Sequence, residues 1–307
     1  MLFVIYINDL PKSCSSTEII LFADDTNITA IGCTQEAVEK DLKSIQNWLQ
    51  SNKLSLNIEK TIQMNVKPSA SKLRFKLNGI PIDVKPMCKY LGICVDSKLS
   101  FVSHIEYVKK RLGKQCGIIS KLRHYVPRHL LMQYYKTNVQ PIIQYGILVY
   151  GCCSFSSLKP ILILQKKILK FIYFRKKDDH SEDIFSENSI LTVYELHIYE
   201  LIKFVLKSIH KLHAENFLNN LFQFEKNRKT RRGNMELLIE PLCKRKIQMF
   251  SVYFRGAKLY NALQKQGLLP SPSIQKTVKE VMNDYHKLKE QYILNNGELV
   301  RHIFMSN

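Results

Sequence analysis

Between Ile19 and Ala30 the chain runs Ile-Ile-Leu-Phe-Ala-Asp-Asp-Thr-Asn-Ile-Thr-Ala, two short apolar stretches on either side of an Asp-Asp pair. Asp tolerates tight turns, and strand-forming runs that flank such a turn predict a β-hairpin. The hairpin would hold the carboxylates of Asp24 and Asp25 side by side at its bend. Hard divalent cations such as Mg²⁺ take carboxylate oxygens as ligands. Enzymes that transfer phosphoryl groups with two metals use such carboxylates to place one metal at the attacking oxygen and one at the leaving oxygen. A solvated surface turn can also carry an Asp-Asp pair. The Phe-Ala that precedes this one, and the apolar runs on both sides, set it apart from that reading.

The sequence around the hairpin predicts an α+β fold. Thr34 is placed to cap a helix whose apolar positions are Val38, Leu42, Ile45 and Leu49, with Trp48 packing beside them. Ile62, Met64 and Val66 alternate as in a half-buried strand. Asn78-Gly79 between Leu73–Leu77 and Ile80–Val84 is a hairpin signal. Tyr90 to Val95 reads as one further strand, broken at Gly92.

Beyond residue 100 the pattern becomes helical and the charge changes. Residues 1–100 hold 12 basic and 10 acidic residues, whereas residues 101–180 hold 15 basic against 3 acidic, out of a total net charge of +20. Ile105, Val108, Leu112, Cys116, Ile119 and Leu122 form one apolar stripe, and Lys109, Lys110, Arg111, Lys114, Lys121 and Arg123 fall largely off it. Charge concentrated in this way suits a surface that lies along a polyphosphate backbone; an anionic membrane surface or plain solvent would also accept it. Pro127 suits the start of a following helix, Pro141 is expected to interrupt before Ile142–Tyr150, and Ile161–Tyr173 is again helical in pattern. Residues 176–190 read as a polar linker, and residues 191–307 as an α-rich region containing the basic loop Asn227–Arg232 and the block Arg255–Leu263. The eight cysteines show neither disulfide nor zinc spacing, so reduced thiols and no disulfide-linked partner are expected. No apolar run approaches the roughly 20 residues of a membrane span, and the expectation is an intracellular protein.

Four blocks carry a resemblance. Phe22-Ala23-Asp24-Asp25 resembles the F/Y-A-D-D box of non-LTR (LINE-type) retrotransposon reverse transcriptases. Leu2–Pro11 looks like the helix that precedes the box, Lys53–Thr61 is similar to the next palm motif, and Tyr90-Leu91-Gly92 resembles the primer-grip turn. The blocks stand in the family's order and near its spacing. The resemblance implies that residues 1–100 are the C-terminal half of a right-hand polymerase palm and residues 101–175 a basic helical thumb. It implies a two-metal Mg²⁺ site in which Asp24 is a ligand and Asp25 a support. Lys60 would line the nucleotide side of the palm, and Tyr90, Leu91 and Gly92 would press the primer end toward the metals. Lys109, Lys110, Arg111, Lys114, Lys121 and Arg123 would meet the RNA–DNA duplex of template and primer, and the complete enzyme would take dNTPs. The fingers and the first catalytic aspartate of the family lie upstream of its F/Y-A-D-D box and have no counterpart here, since Asp9 matches a helix end that is not a metal ligand. The expectation is therefore a fragment of an RNA-directed DNA polymerase, inactive alone. A non-catalytic nucleic-acid-binding protein, or an element relic without function, competes with that expectation.

Overall fold

The computed structural model describes residues 2–66, 73–225, 229–230, 233–234, 236–243, 246–265 and 269. The chain divides into two compact units, Met1–Ser100 and Phe101–Asn307.

The first unit mixes helices and short strand pairs, the α+β class expected. Helix α1 (Leu2–Ile7) is followed by a 3₁₀ turn at Leu10–Ser13, because Pro11 has no backbone N–H to continue an α-helix. Strands β1 (Glu18–Phe22) and β2 (Asp25–Thr29) pair antiparallel with Phe22 opposite Asp25. Helix α2 (Gln35–Ser51) begins where Thr34 accepts a hydrogen bond from the Ala37 N–H at 3.2 Å. Val38, Leu42 and Ile45 of α2 are buried with Leu10, Leu77 and Ile82, and Trp48, Leu49 and one face of the hairpin (Ile19, Leu21, Ile28) pack against them. Strand β3 (Ile62–Gln63) is shorter than the predicted alternation and pairs parallel with β6 (Asp83–Val84). Asn78 and Gly79, at φ 50° and 77°, join β4 (Lys76–Leu77) to β5 (Ile80–Pro81), as the Asn-Gly signal predicts. Tyr90–Val95 is not one strand. Leu91 and Gly92 sit at φ 43° and 82°, and two consecutive left-handed residues reverse the chain between β7 (Met87–Tyr90) and β8 (Ile93–Asp96).

The second unit is built of helices. In α3 (Val102–Leu122) the predicted stripe from Ile105 to Ile119 is buried, and it packs on α7 (Phe155–Ile172). Pro141 does not interrupt the segment where expected. Helix α4 (Arg128–Tyr134) runs through a π-turn at Tyr135–Val139 into α5 (Gln140–Gln144), which carries Pro141 in its first turn. The wider turn accommodates the missing N–H, and the chain breaks later, at Gly146 with φ 71°, before α6 (Ile147–Tyr150). Residues 176–190 are not a bare linker. They contain α8 (Glu182–Glu187), whose Ile184 and Phe185 are buried in the same core as α3 and α7. Two adjacent apolar residues suffice to dock a short amphipathic turn, although the surrounding composition is charged.

Helix α9 (Val193–Ile209) starts at a capping box between Thr192 and Glu195 and is followed by the short α10 (Asn216–Asn219). Its later turns form a second core with α11 (Val252–Lys265), which contains the Arg255–Leu263 block. A Cβ at Gly256 would stand 2.8 Å from Val205 Cγ2 and 2.9 Å from Phe222 Cζ, so only glycine lets α11 lie this close to α9. The block is therefore packing between helices. Within the predicted Asn227–Arg232 loop, Lys229–Thr230 form a short strand paired antiparallel with Gly233–Asn234, and residues 227–228 and 231–232 lie outside the described residues.

Candidate active-site hairpin and basic helix face

Asp24 and Asp25 are exposed at the end of the β1–β2 hairpin. The turn is made by Ala23 and Asp24, with Ala23 in the left-handed region at φ 52°. A non-glycine residue pays roughly 1–2 kcal/mol for that conformation, so the packing of the hairpin holds the bend in place. Residues directly opposite each other across an antiparallel pair share a face. Asp25 therefore stands beside Phe22 on the outward face with Ile20, while Ile19, Leu21 and Ile28 face the core.

Behind the hairpin is an anchor that no motif pointed to. Asp41 of α2 is buried, and its carboxylate accepts from the backbone N–H of Ser15 (3.2 Å), Ser16 (2.8 Å) and Thr17 (2.7 Å), and from the Thr17 hydroxyl (3.0 Å). These residues lead directly into β1. Burial by itself would raise the Asp41 pKa, but the hydrogen bonds from Ser16, Ser15 and Thr17 outweigh it and hold the group below the usual carboxylate value.

Tyr90 ends β7 beside the strained Leu91-Gly92 turn. Its hydroxyl oxygen is shielded from solvent and has no hydrogen-bond partner among the described residues. Burial, and after it the negative charge of Asp25, pushes the phenol above its ordinary value. Tyr90 and Asp25 are thus electrostatic neighbours. Lys60 is exposed on a separate 3₁₀ turn, Ile58–Lys60, where Asn57 Oδ1 accepts from the Lys60 N–H at 3.2 Å. No hydrogen bond or ion pair joins it to Asp24, Asp25 or Tyr90 among the described residues. Nor do the described residues contain a group of three or more His, Cys, Asp or Glu side chains that could hold a metal.

In the second unit, the six basic residues singled out on α3 divide by environment. Lys110, Arg111, Lys114 and Lys121 are exposed. Lys110, Lys114 and Lys121 follow one another at spacings of four and seven residues, which keeps them on one face. Gly113 and Gly117 lie among them with nothing within 4 Å of the place a Cβ would occupy, so this flank of the helix is flat. Lys109 instead pairs with Glu106 at 2.8 Å. Arg123 lies over the rings of Phe171 (5.5 Å) and Phe174 (4.3 Å). All eight cysteines are free, and no helix among the described residues is long and apolar enough to cross a membrane.

The unit that carries the hairpin is where the family signal falls: residues 1–95 match the family model for reverse transcriptase (RNA-dependent DNA polymerase). The chain is also homologous to the RNA-directed DNA polymerases of non-LTR elements. It is 29% identical over 199 residues to the RNA-directed DNA polymerase from mobile element jockey of Drosophila melanogaster, covering 58% of this chain and 22% of that protein. It is 26% identical over 166 residues to the probable RNA-directed DNA polymerase from transposon BS of the same species, covering 49% and 18%. A Caenorhabditis elegans protein, uncharacterized protein B0403.1, is 35% identical over 81 residues, covering 26% and 39%. The chain spans about a fifth of the length of the mobile-element polymerases it matches. No solved structure matches it.

Proposed function

We propose that this chain is part of a non-LTR retrotransposon RNA-directed DNA polymerase, with the hairpin supplying one side of its catalytic metal site and α3 supplying a contact face for the template–primer duplex. The single observation that carries this reading is the Phe22-Ala23-Asp24-Asp25 hairpin, exposed at its tip, within the residues that match the reverse transcriptase family.

The residues fit the group they would hold. Mg²⁺ is commonly bound through one or two carboxylates, with waters and substrate phosphates completing its six oxygens. Asp24 is the proposed ligand and Asp25 the supporting carboxylate, and when bound the metal would polarise phosphate oxygens and lower the barrier to phosphoryl transfer. Tyr90, Leu91 and Gly92 are the proposed rest for the primer end, supported by the electrostatic link from Tyr90 to Asp25. Lys60 is proposed for the nucleotide side. Lys110, Arg111, Lys114 and Lys121 are the proposed phosphate contacts on RNA–DNA duplex. Lys109 and Arg123, already engaged by Glu106 and by two phenylalanines, are proposed to contribute less.

A second reading, nucleic-acid binding without catalysis, is favoured by the finding that the described residues gather two carboxylates at the hairpin and no third. The two readings share one expected result. Residues 1–307 purified alone will not extend a DNA primer on an RNA template with dNTPs and Mg²⁺, since loss of one member of an interdependent catalytic set can cost several orders of magnitude in rate. Extension that disappears in Asp24→Ala would contradict this and show a complete site within the chain.

A further inference from the structure

The end of α3 and the end of α7 meet at one tip. Residues 121–129 (Lys-Leu-Arg-His-Tyr-Val-Pro-Arg-His) and 173–177 (Tyr-Phe-Arg-Lys-Lys) contain six Lys and Arg, two His and no acidic residue. Aromatic rings alternate with the cations. Tyr125 is 86% exposed, the most exposed aromatic side chain among those described. Phe174, 54% exposed, lies under the Arg123 guanidinium at 4.3 Å and edge-on to His124 at 6.1 Å. Arg128 covers the ring of Tyr173 at 5.2 Å.

The tip is held in shape. Lys170 Nζ donates to the Lys177 carbonyl at 2.6 Å, and the Tyr173 hydroxyl donates to Asn188. Two nearby acids meet it: Asp183 pairs with Arg175 at 2.8 Å, and Asp179 accepts from the Lys176 backbone N–H at 2.7 Å, which leaves the Lys176 ammonium out of that contact. Phe174 adopts φ 53° just past the end of α7, a left-handed position that glycine fills at no steric cost.

We propose that this tip binds single-stranded nucleic acid, with Tyr125 as the platform on which an unpaired base stacks and Arg128, Lys176 and Lys177 as contacts to the flanking phosphates. The proposal rests on the reading of the second unit as a nucleic-acid-binding part. Duplex does not fit the tip as well, because its bases are already stacked on one another and offer no free face to Tyr125. Single strands offer a π-face with every base, and aromatic side chains interleaved with cations are the surface that meets them.

The test is fluorescence anisotropy with the 307-residue chain, labelled oligothymidylate or oligouridylate, and a labelled RNA–DNA duplex of equal length. Tyr125→Ala is expected to weaken single-strand binding about tenfold, the size of one lost base-stacking contact, and to change duplex binding less than about twofold. Tyr125→Trp is expected to keep the affinity and to have its added emission quenched by the single strand. Because Tyr125 is exposed, neither variant disturbs packing, and a circular-dichroism spectrum unchanged from the parent confirms that. Full single-strand affinity in Tyr125→Ala, or equal losses on strand and duplex, would overturn the proposal. If the Tyr125 variants behave like the parent while Lys110, Lys114 and Lys121 charge reversals abolish duplex binding, the tip proposal fails and the proposed function stands. A chain that binds no nucleic acid overturns both.

Discussion

An Asp41→Ala chain is expected to lose about 3 kcal/mol or more of stability in the unit that carries the Asp24–Asp25 hairpin. The substitution removes a charged acceptor shared by three backbone N–H groups and a hydroxyl. A hydrogen bond to a charged group contributes about 1.5–3 kcal/mol, less at the exposed Ser15 and Ser16, whose N–H groups can turn to water. The largest consequence falls on β1, because the freed residues 15–17 are its lead-in. Trp48, the chain's one tryptophan, packs against the core of the same unit, so urea unfolding followed by its emission reports this unit alone. Asp41→Asn keeps one acceptor oxygen but turns an NH₂ toward N–H donors, and is expected to recover only part of the loss. The effect has a pH signature. A carboxylate whose folded pKa is depressed contributes stability that is fully present above its unfolded value, near about 4, and is lost as pH falls through the folded value. The difference between the parent and Asp41→Asn should therefore be constant at neutral pH and shrink in acid below about pH 4. A midpoint unmoved by Asp41→Ala would mean that the lead-in is held by something other than this carboxylate.

Charge reversal on α3 is the second large effect. Reversing Lys110, Lys114 and Lys121 to Glu is expected to weaken binding of RNA–DNA duplex about a hundredfold or more at low salt, whatever its sequence, because phosphate contacts carry most of such affinity. Each phosphate neutralised contributes about −0.9 to the slope of log affinity against log salt on B-DNA, so removing three contacts should flatten the slope by roughly 3. Reversing Lys109 is expected to do less, since its ammonium is already shared with Glu106. Anisotropy titrations at several salt concentrations, parent against triple variant, measure both quantities. Binding that survives the reversal with an unchanged slope would leave the row as a solvated face.

Much of the fold could be read from local signals. The Asn78-Gly79 turn, the Thr34 cap and the α3 stripe each depend on residues close in sequence, and the structure contains all three. The Asp pair on a hairpin between apolar strands was legible for the same reason. Features that depend on tertiary partners were not. Asp41 falls at a helical position between Val38 and Ile45, on the buried face, and that misplaced carboxylate was the one available signal of its role. The Tyr125–Phe174 tip joins two helix ends about fifty residues apart, which no spacing rule connects. Ile184 and Phe185 were hidden by the charge around them. Tyr90–Val95 reads as one strand broken at Gly92, and not as the reversal between two strands, because Leu91 is an apolar residue in a conformation that usually calls for glycine.

The most direct measurement on the central claim is metal-directed cleavage at the hairpin. Fe²⁺ takes the place of Mg²⁺ at carboxylate sites, and with ascorbate and peroxide it generates hydroxyl radicals that cut whatever backbone lies next to it. With the 307-residue chain bound to an end-labelled RNA–DNA template–primer, cleavage is predicted to cluster at the primer 3′ end. It should vanish in Asp24→Asn and weaken in Asp25→Asn, while duplex affinity stays level or rises slightly as negative charge is removed. Cleavage spread evenly along the duplex, or a cluster that persists in Asp24→Asn, would contradict the assignment of this hairpin as the metal-bearing side of a polymerase site.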